Sequence, residues 1–133
     1  MRTRGPASAS RTDVEQPFDP YHPDCPSRAL VDRIGDRWTV LVVGALAEGP
    51  ARYGELSSRV AGISPKMLAA TLKGLERDGL LTREAFAESP PRVVYDLTPA
   101  GRSLHEVLRH VVGWATSHAG EVLDAQAAYD RAH

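Results

Sequence analysis

The sequence has little cysteine and no long apolar run. Cys25 is the sole cysteine among its 133 residues, which excludes a disulfide framework within the chain and favours a reducing compartment. No apolar stretch approaches the length that crosses a bilayer. The first ten residues carry arginines without an apolar core, so we expect no secretory signal. These absences predict a cytoplasmic protein with no membrane partner.

Motifs of catalysis are missing as well. The chain has no glycine-rich phosphate loop, no His-Glu-x-x-His motif and no Cys–His pattern of a nucleophilic site. Its five histidines show no ligand spacing with carboxylates or sulfur, and His105 and His110, five apart, are poorly placed to share a metal ion. The sequence therefore predicts no enzyme, no catalytic residue, no metal site and no cofactor.

The chain also lacks an excess of positive charge, because 16 lysines and arginines stand against 17 acidic residues. A net charge of −1 argues against a simple basic nucleic-acid binder, but the distribution matters more than the sum. Residues 52–83 hold six basic and three acidic side chains, whereas both ends are more acidic. The middle of the chain is thus locally positive, and a dimer would double that positive face.

Proline and glycine divide the chain into three predicted parts. Residues 1–24 contain four prolines and no apolar periodicity, which predicts a flexible tail. Residues 25–118 have the size and patterning of one domain. Residues 119–133 are predicted to form a helical extension, with Gly120 breaking the preceding helix.

Apolar periodicity predicts four helices before residue 80. The first begins at Pro26 and ends at Gly35, and the second covers about residues 37–47. A short helix over about residues 54–60 is joined by a glycine-containing turn to a helix that Ser64 and Pro65 begin and Gly79 ends. Two helices joined in this way predict a helix-turn-helix.

The pattern then changes from helical to alternating. Residues 80–86 and 92–97 read as two strands, with a turn over residues 87–91. A β-hairpin directly after a helix-turn-helix is called a wing. The predicted fold is therefore mainly α with a small β-hairpin wing, a winged helix-turn-helix of the α+β class.

A long helix is predicted after Thr98-Pro99, and its apolar stripe is wide for so small a domain. Part of the stripe must pack on the core of the chain. The rest favours a partner helix, so the sequence predicts a homodimer formed through terminal helices. The predicted interface consists of Leu104, Leu108, Val111, Val112, Trp114 and Ala115.

Taken in order, these residues resemble a known family. The matching positions are Cys25-Pro26, Ile34-Gly35, Trp38, Arg52-Tyr53-Gly54-Glu55-Leu56, Gly62-Ile63-Ser64, Leu68, Leu72, Leu75-Glu76, Asp78-Gly79-Leu80, Arg83, Pro91-Arg92-Val93, Tyr95, Leu97-Thr98, Gly101 and a tryptophan in the last long helix. From Cys25 to Trp114 the chain resembles the HxlR-type regulators, relatives of the MarR winged-helix group. Tyr53 departs from the pattern, since the family more often has phenylalanine there. The resemblance implies a dimeric, DNA-binding transcription regulator, often a repressor.

In such a fold the second helix of the helix-turn-helix enters the major groove. If Leu68, Leu72 and Leu75 face the core, the opposite face offers side chains to double-stranded DNA. The predicted DNA-binding residues are Ser64, Lys66, Met67, Ala70, Thr71 and Lys73 on this helix, Arg92 at the wing, and Arg52. The lysines could reach guanine edges or phosphates. Arg52 either contacts a phosphate or is only a solvent-exposed side chain of the short helix. The alternatives are a solvated lysine face, or a winged helix that binds protein without binding DNA.

Two kinds of switch are compatible with the sequence. Cys25 lies at a helix N-terminus, where the helix dipole favours a thiolate; Arg28 would help and Asp24 would oppose it. The resemblance implies a redox or electrophile sensor at this cysteine, and the alternative is a small buried residue near the dimer interface. A small-molecule effector, bound between the winged-helix core and the dimer helices, is equally compatible.

Overall fold

The computed structural model describes residues 18–133, whose backbone forms five helices and three strands. The chain divides into two units, Met1–Asp36 and Arg37–His133. The predicted domain boundaries, after residues 24 and 118, stay predictions. No helix within residues 18–133 is both long enough and apolar enough to cross a membrane.

The described part of the first unit consists of a turn and helix α1, Pro26–Ile34. The amide of His22 donates to the carbonyl of Asp19, and that of Cys25 donates to the carbonyl of His22, both at 3.1 Å. Residues 18–24, expected to belong to a flexible tail, therefore include hydrogen-bonded turns. Residues 1–17 of that predicted tail lie outside the described residues.

The helix-turn-helix lies in the second unit. Helix α2 covers Arg37–Leu46, and the two-residue strand β1, Ala51–Arg52, leads directly into α3, Tyr53–Arg59. A turn in which Gly62 has a φ of 89° connects α3 to α4, Pro65–Arg77. Since a positive φ strains any residue with a Cβ, glycine is required at this turn. The predicted helix-turn-helix is confirmed.

Both ends of α4 form as the sequence predicts. The Ser64 hydroxyl oxygen accepts a hydrogen bond from the Met67 amide at 3.0 Å and so caps the helix. At the other end Gly79 has a φ of 75°, and the Leu80 amide donates to the Leu75 carbonyl at 2.9 Å. The 6→1 bond is the Schellman ending, so the boundaries of α4 are fixed by local chemistry.

The wing is an antiparallel hairpin of β2, Leu81–Phe86, and β3, Arg92–Leu97. Leu81 lies opposite Leu97, and Phe86 lies opposite Arg92. Strand β1 pairs with the other edge of β3, which makes a three-stranded sheet in the order β1-β3-β2. The sequence analysis predicted the hairpin but missed β1, because two residues are too few to show an alternating pattern.

Helix α5 runs without interruption from Pro99 to Ala132. The Thr98 hydroxyl oxygen accepts from the Gly101 amide at 3.1 Å and caps it. The predicted break at Gly120 is wrong. A glycine inside a helix costs only about 1 kcal/mol relative to alanine, and strong helix formers such as Ala119, Glu121 and Leu123 surround Gly120.

The core of the second unit lies between α2, α3, α4 and the sheet, where Leu46, Leu56, Leu68 and Leu75 are fully buried. Leu108 of α5 is also buried, and Leu104 is half-buried against the same core. These two leucines were predicted for a dimer interface, and that assignment is wrong for Leu108. The first turns of α5 use their apolar face to pack on the chain itself.

Candidate nucleic-acid interface

Helix α4 turns one face to the core and the other outward. Leu68, Leu72 and Leu75 are at most 2% exposed, as predicted. The opposite face leaves Lys66, Ala70 and Lys73 exposed, and Met67 is 40% exposed beside them. Four of the predicted DNA-binding residues on this helix therefore share one accessible surface, here called the α4 face.

Thr71 does not belong to the α4 face. Its side chain is only 5% exposed, so the predicted contact with DNA is corrected. Position 71 lies three residues after Leu68 and four before Leu75, which places it inside the buried arc of the helix.

Ser64 and Arg77 mark the two ends of the α4 face. The Ser64 oxygen accepts from the Met67 amide, and Pro65 has no N–H, so Lys66 supplies the remaining backbone N–H of the first helical turn. Arg77 is exposed four residues beyond Lys73, on the same face. The sequence analysis missed Arg77, although the spacing of four residues from Lys73 was a sufficient signal.

Arg92 at the wing is engaged by its neighbours. Its Nη2 atom lies 2.8 Å from Oε2 of Glu88, and its guanidinium stacks 4.2 Å from the centroid of the Phe86 ring. The Nε atom is buried without a hydrogen-bond partner. Arg92, predicted to contact DNA, is thus a cation whose charge is balanced by Glu88, and its contact with DNA stays a prediction.

Arg52 and Tyr53 lie where the sheet meets the helix-turn-helix. Arg52 is exposed, and its amide donates to Oε1 of Glu55 at 2.8 Å. The Tyr53 hydroxyl donates to the carbonyl oxygen of Pro65, the first residue of α4, at 3.0 Å. The sequence analysis assigned no role to Tyr53, because the pattern around it does not show that its ring reaches α4.

Cys25 lies in the first unit, half-buried beside a shallow depression of about 390 Å³ that Phe18, Asp19, His22, Asp24 and Pro26 also line. The hydrogen bond with the Ser27 side chain, at 3.1 Å, lowers the pKa of the thiol, and the Asp19 amide donates to the sulfur at the same distance. Among charged groups it is Asp19 that opposes this shift, not Asp24. Arg28 instead binds the carbonyl of Tyr21.

The outer part of α5 leaves an apolar surface uncovered in the single chain. Val111, Val112 and Trp114 are 44–60% exposed, and Ala115 is exposed as well. The same surface continues toward the C-terminal end of the helix through Val122 and Tyr129, both exposed. Trp114 stacks on His118, with ring centroids 4.4 Å apart. Within residues 18–133, no group of three or more histidine, cysteine or acidic side chains is placed to hold a metal ion.

Comparisons with known proteins agree with this architecture. The model of the HxlR-like helix-turn-helix family matches residues 33–122. The HTH-type transcriptional regulator YtfH of Escherichia coli strain K12, itself uncharacterized, is 41% identical over 99 residues, which are 74% of this chain and 79% of YtfH.

Two solved structures show the same fold. That of the transcriptional regulator ytfH from Salmonella typhimurium has a TM-score of 0.77 at 34% identity and covers 82% of this chain and 97% of its own. The structure of diamide-treated YodB from B. subtilis has a TM-score of 0.61 at 35% identity, and the match covers 72% of this chain and 96% of the YodB chain. The winged helix-turn-helix prediction is confirmed, and the chain belongs to the HxlR-like helix-turn-helix family of transcription regulators.

Proposed function

We propose that the chain is a cytoplasmic repressor that binds double-stranded DNA as a homodimer at a pseudo-palindromic operator, and that it has no catalytic activity. The observation that carries the proposal is the division of α4 into a buried leucine face and an exposed cationic face. A cationic helix face next to a wing fits the major groove of a duplex.

The α4 face has the chemistry that the major groove requires. Ala69 and Ala70 are small and exposed, so the helix axis is able to approach the base edges closely. Lys66 and Lys73 then reach guanine acceptors or backbone phosphates. The Lys66 amide, the remaining N–H of the first turn beside Ser64, suits a phosphate, since a helix N-terminus carries partial positive charge.

A dimer through α5 supplies the second half of the interface. Along α5, the residues of one face follow each other in alternating steps of four and three, which is the heptad spacing of paired helices. These residues are at positions 104, 108, 111, 115, 118, 122, 125 and 129. Positions 104 and 108 pack on the core of the chain itself, and we propose that the later positions contact a partner helix. Pairing two copies by a two-fold axis would place the α4 helices about 34–36 Å apart, one turn of DNA.

Binding of duplex DNA to full-length protein tests the proposal. In fluorescence anisotropy, we expect an affinity that falls steeply with salt, because the lysines displace condensed counterions. Lys66→Ala and Lys73→Ala should each weaken binding and reduce the salt slope by about one. Arg131→Ala, at the far end of α5, removes an equal charge and should have little effect. A stable dimer indifferent to duplex DNA would instead identify a protein-interaction module.

Cys25 is the proposed switch. Its thiol has a lowered pKa, and it lies beside Phe18 and Pro26, which suit the apolar body of an aromatic electrophile such as a quinone. The thiolate would add to a ring carbon of the quinone and form a carbon–sulfur bond. That carbon then loses its hydrogen as a proton, and the two ring oxygens take up this proton and one from water, which gives a hydroquinone thioether. The diamide-treated form of the related YodB supports thiol chemistry in this family.

Two variants test this switch. Cys25→Ser should bind DNA normally and lose the response to a quinone or to diamide. If the reagent reduces DNA binding equally in the wild-type protein and in Cys25→Ser, the sensor proposal is wrong. Ser27→Ala removes the bond that lowers the pKa of Cys25. The thiolate should then form at higher pH, so the pH at which iodoacetamide alkylates Cys25 half-maximally should rise.

A small-molecule effector is the second proposed switch. A cavity of about 160 Å³ lies between α2 and α5, lined by Val40, Gly44, Leu108 and Val112 with His105 and Arg109. A ligand there would press on the same helix that we propose as the dimer interface. Compounds that release DNA from the Cys25→Ser variant would identify this route, since that variant carries no thiol.

A further inference from the structure

We infer that Tyr53 is a positioning residue for operator recognition: its hydroxyl fixes the first turn of α4 relative to the sheet that carries the wing. The inference rests on the proposed function, because it requires α4 and the wing to contact one duplex. It concerns a residue to which the sequence analysis gave no role.

One end of this link is the sheet. Tyr53 directly follows β1, in which Arg52 lies opposite Val94 of the wing strand β3. The bond from the Arg52 amide to Glu55, at 2.8 Å, holds the backbone at the point where the strand becomes a helix. The Tyr53 ring is half-buried against the core. Both the backbone and the ring of Tyr53 are therefore held in place.

The other end of the link is the start of α4. The Tyr53 hydroxyl donates to the Pro65 carbonyl oxygen at 3.0 Å. The cap bond from the Met67 amide to Ser64 shapes the same turn from within the helix. The Tyr53 bond joins that turn to a different element, so it sets where the turn lies with respect to β1 and β3.

The position of this turn matters more for base edges than for phosphates. Lys66 and Met67 extend from it, and a hydrogen bond to a base edge needs a donor–acceptor distance of about 2.7–3.2 Å. A lysine that binds a phosphate as a point charge tolerates a displaced helix, because its flexible stem takes up the difference. Loss of the link should therefore reduce discrimination between sequences more than binding as such.

The test compares Tyr53→Phe with Tyr95→Phe, which removes the hydroxyl from another tyrosine half-buried against the same core. The probes are a duplex that the wild-type protein selects from a random-sequence pool and a scrambled duplex of equal composition. Full-length proteins are compared at equal folded fraction, as measured by urea unfolding. For Tyr53→Phe we expect a loss of about 3–10-fold on the selected duplex, the effect of one net hydrogen bond, and no change on the scrambled one. Tyr95→Phe should match the wild type on both.

Three results would overturn the inference. Unchanged affinity of Tyr53→Phe for the selected duplex would show that the hydroxyl has no role in recognition. An equal loss on both duplexes would show that it contacts the DNA backbone itself, since every sequence carries phosphates. If the wild-type protein selects no sequence from the pool, both the proposed function and the inference fail. If the wild-type protein selects a sequence and Tyr53→Phe binds that sequence equally well, only the inference fails.

Discussion

Helices α4 and α5 are both amphipathic, but the chain covers their apolar faces to different extents. On α4 the leucines at positions 68, 72 and 75 are all buried. On α5 the apolar stripe is covered at Leu108 and uncovered from Val111 onward, although the stripe continues in the same direction along the helix. The same sequence signal thus has two structural outcomes in one unit.

The difference indicates what each helix offers to a partner. Because the apolar face of α4 is satisfied within the chain, its remaining face is polar and cationic, with Lys66 and Lys73 exposed. The uncovered part of α5 offers apolar side chains such as Val111 and Trp114, which favour another protein surface. This contrast supports the proposals of an anionic ligand for α4 and of a second copy of the chain for α5.

The largest effect is expected when the buried face of α4 is broken. Leu75 is fully buried, so Leu75→Ala should lower the free energy of unfolding by about 2–5 kcal/mol, because it removes apolar contact and leaves a cavity. Urea unfolding measures the change. Met67→Ala, on the exposed side of the same helix, is the control and should cost less than about 1 kcal/mol. Equal losses in the two variants would mean that α4 does not face the core as described.

The uncovered stripe of α5 gives the second effect. Val111→Glu places a charge in the middle of the proposed dimer interface, and burying an unpaired carboxylate is costly. We expect a monomer in sedimentation velocity and a loss of about 100-fold or more in operator affinity, because the second half-site then no longer adds to the first.

Ser117→Glu is the control for that variant. Position 117 is exposed and lies away from the stripe, so the same charge there should leave the dimer intact. If Val111→Glu remains a dimer with normal affinity, the uncovered face of α5 is not the interface between copies.

The contrast between the two helices also explains how far the sequence alone could lead. The boundaries of α4 were predictable because Ser64, Pro65 and Gly79 act through local backbone chemistry. What Leu108 packs against was not predictable from the sequence, because the apolar stripe of α5 has the same spacing whether it contacts the chain's own core or another molecule. Distinguishing the two requires the position of α2, which only the folded chain supplies.

The candidate site shows the same limit. The outward direction of Lys66 and Lys73 was predictable from the leucine spacing, whereas the burial of Thr71 was overlooked although the same spacing implies it. Neutralisation of Arg92 by Glu88 depends on the conformation of the wing turn, and the hydrogen bond from Tyr53 to Pro65 depends on where the turn between α3 and α4 places the first residue of α4. Contacts between elements were therefore the part that the sequence did not reveal.

A smaller effect is expected on the outward side of α5. Gly120→Ala should raise the free energy of unfolding by about 0.5–1 kcal/mol, because the helix is continuous there and a Cβ at this position meets no atom within 4 Å. Thermal or urea unfolding checks it. Gly101→Ala is the opposite control, since a Cβ there would overlap the carbonyl oxygen of Leu80 and must destabilise. A destabilising Gly120→Ala would contradict the uninterrupted helix.

The smallest effect separates the free cations of α4 from the engaged cation of the wing. Glu88→Gln removes the carboxylate that lies 2.8 Å from Arg92 and leaves the arginine free to approach a phosphate. Since an exposed ion pair of this kind contributes about 0.2–1 kcal/mol, operator affinity should rise by about 1.5–5-fold at low salt. Glu84→Gln, an exposed carboxylate on the same hairpin, changes the net charge equally and is the control. If both variants raise the affinity to the same extent, general charge repulsion explains the gain, and Arg92 then has no special part in DNA binding.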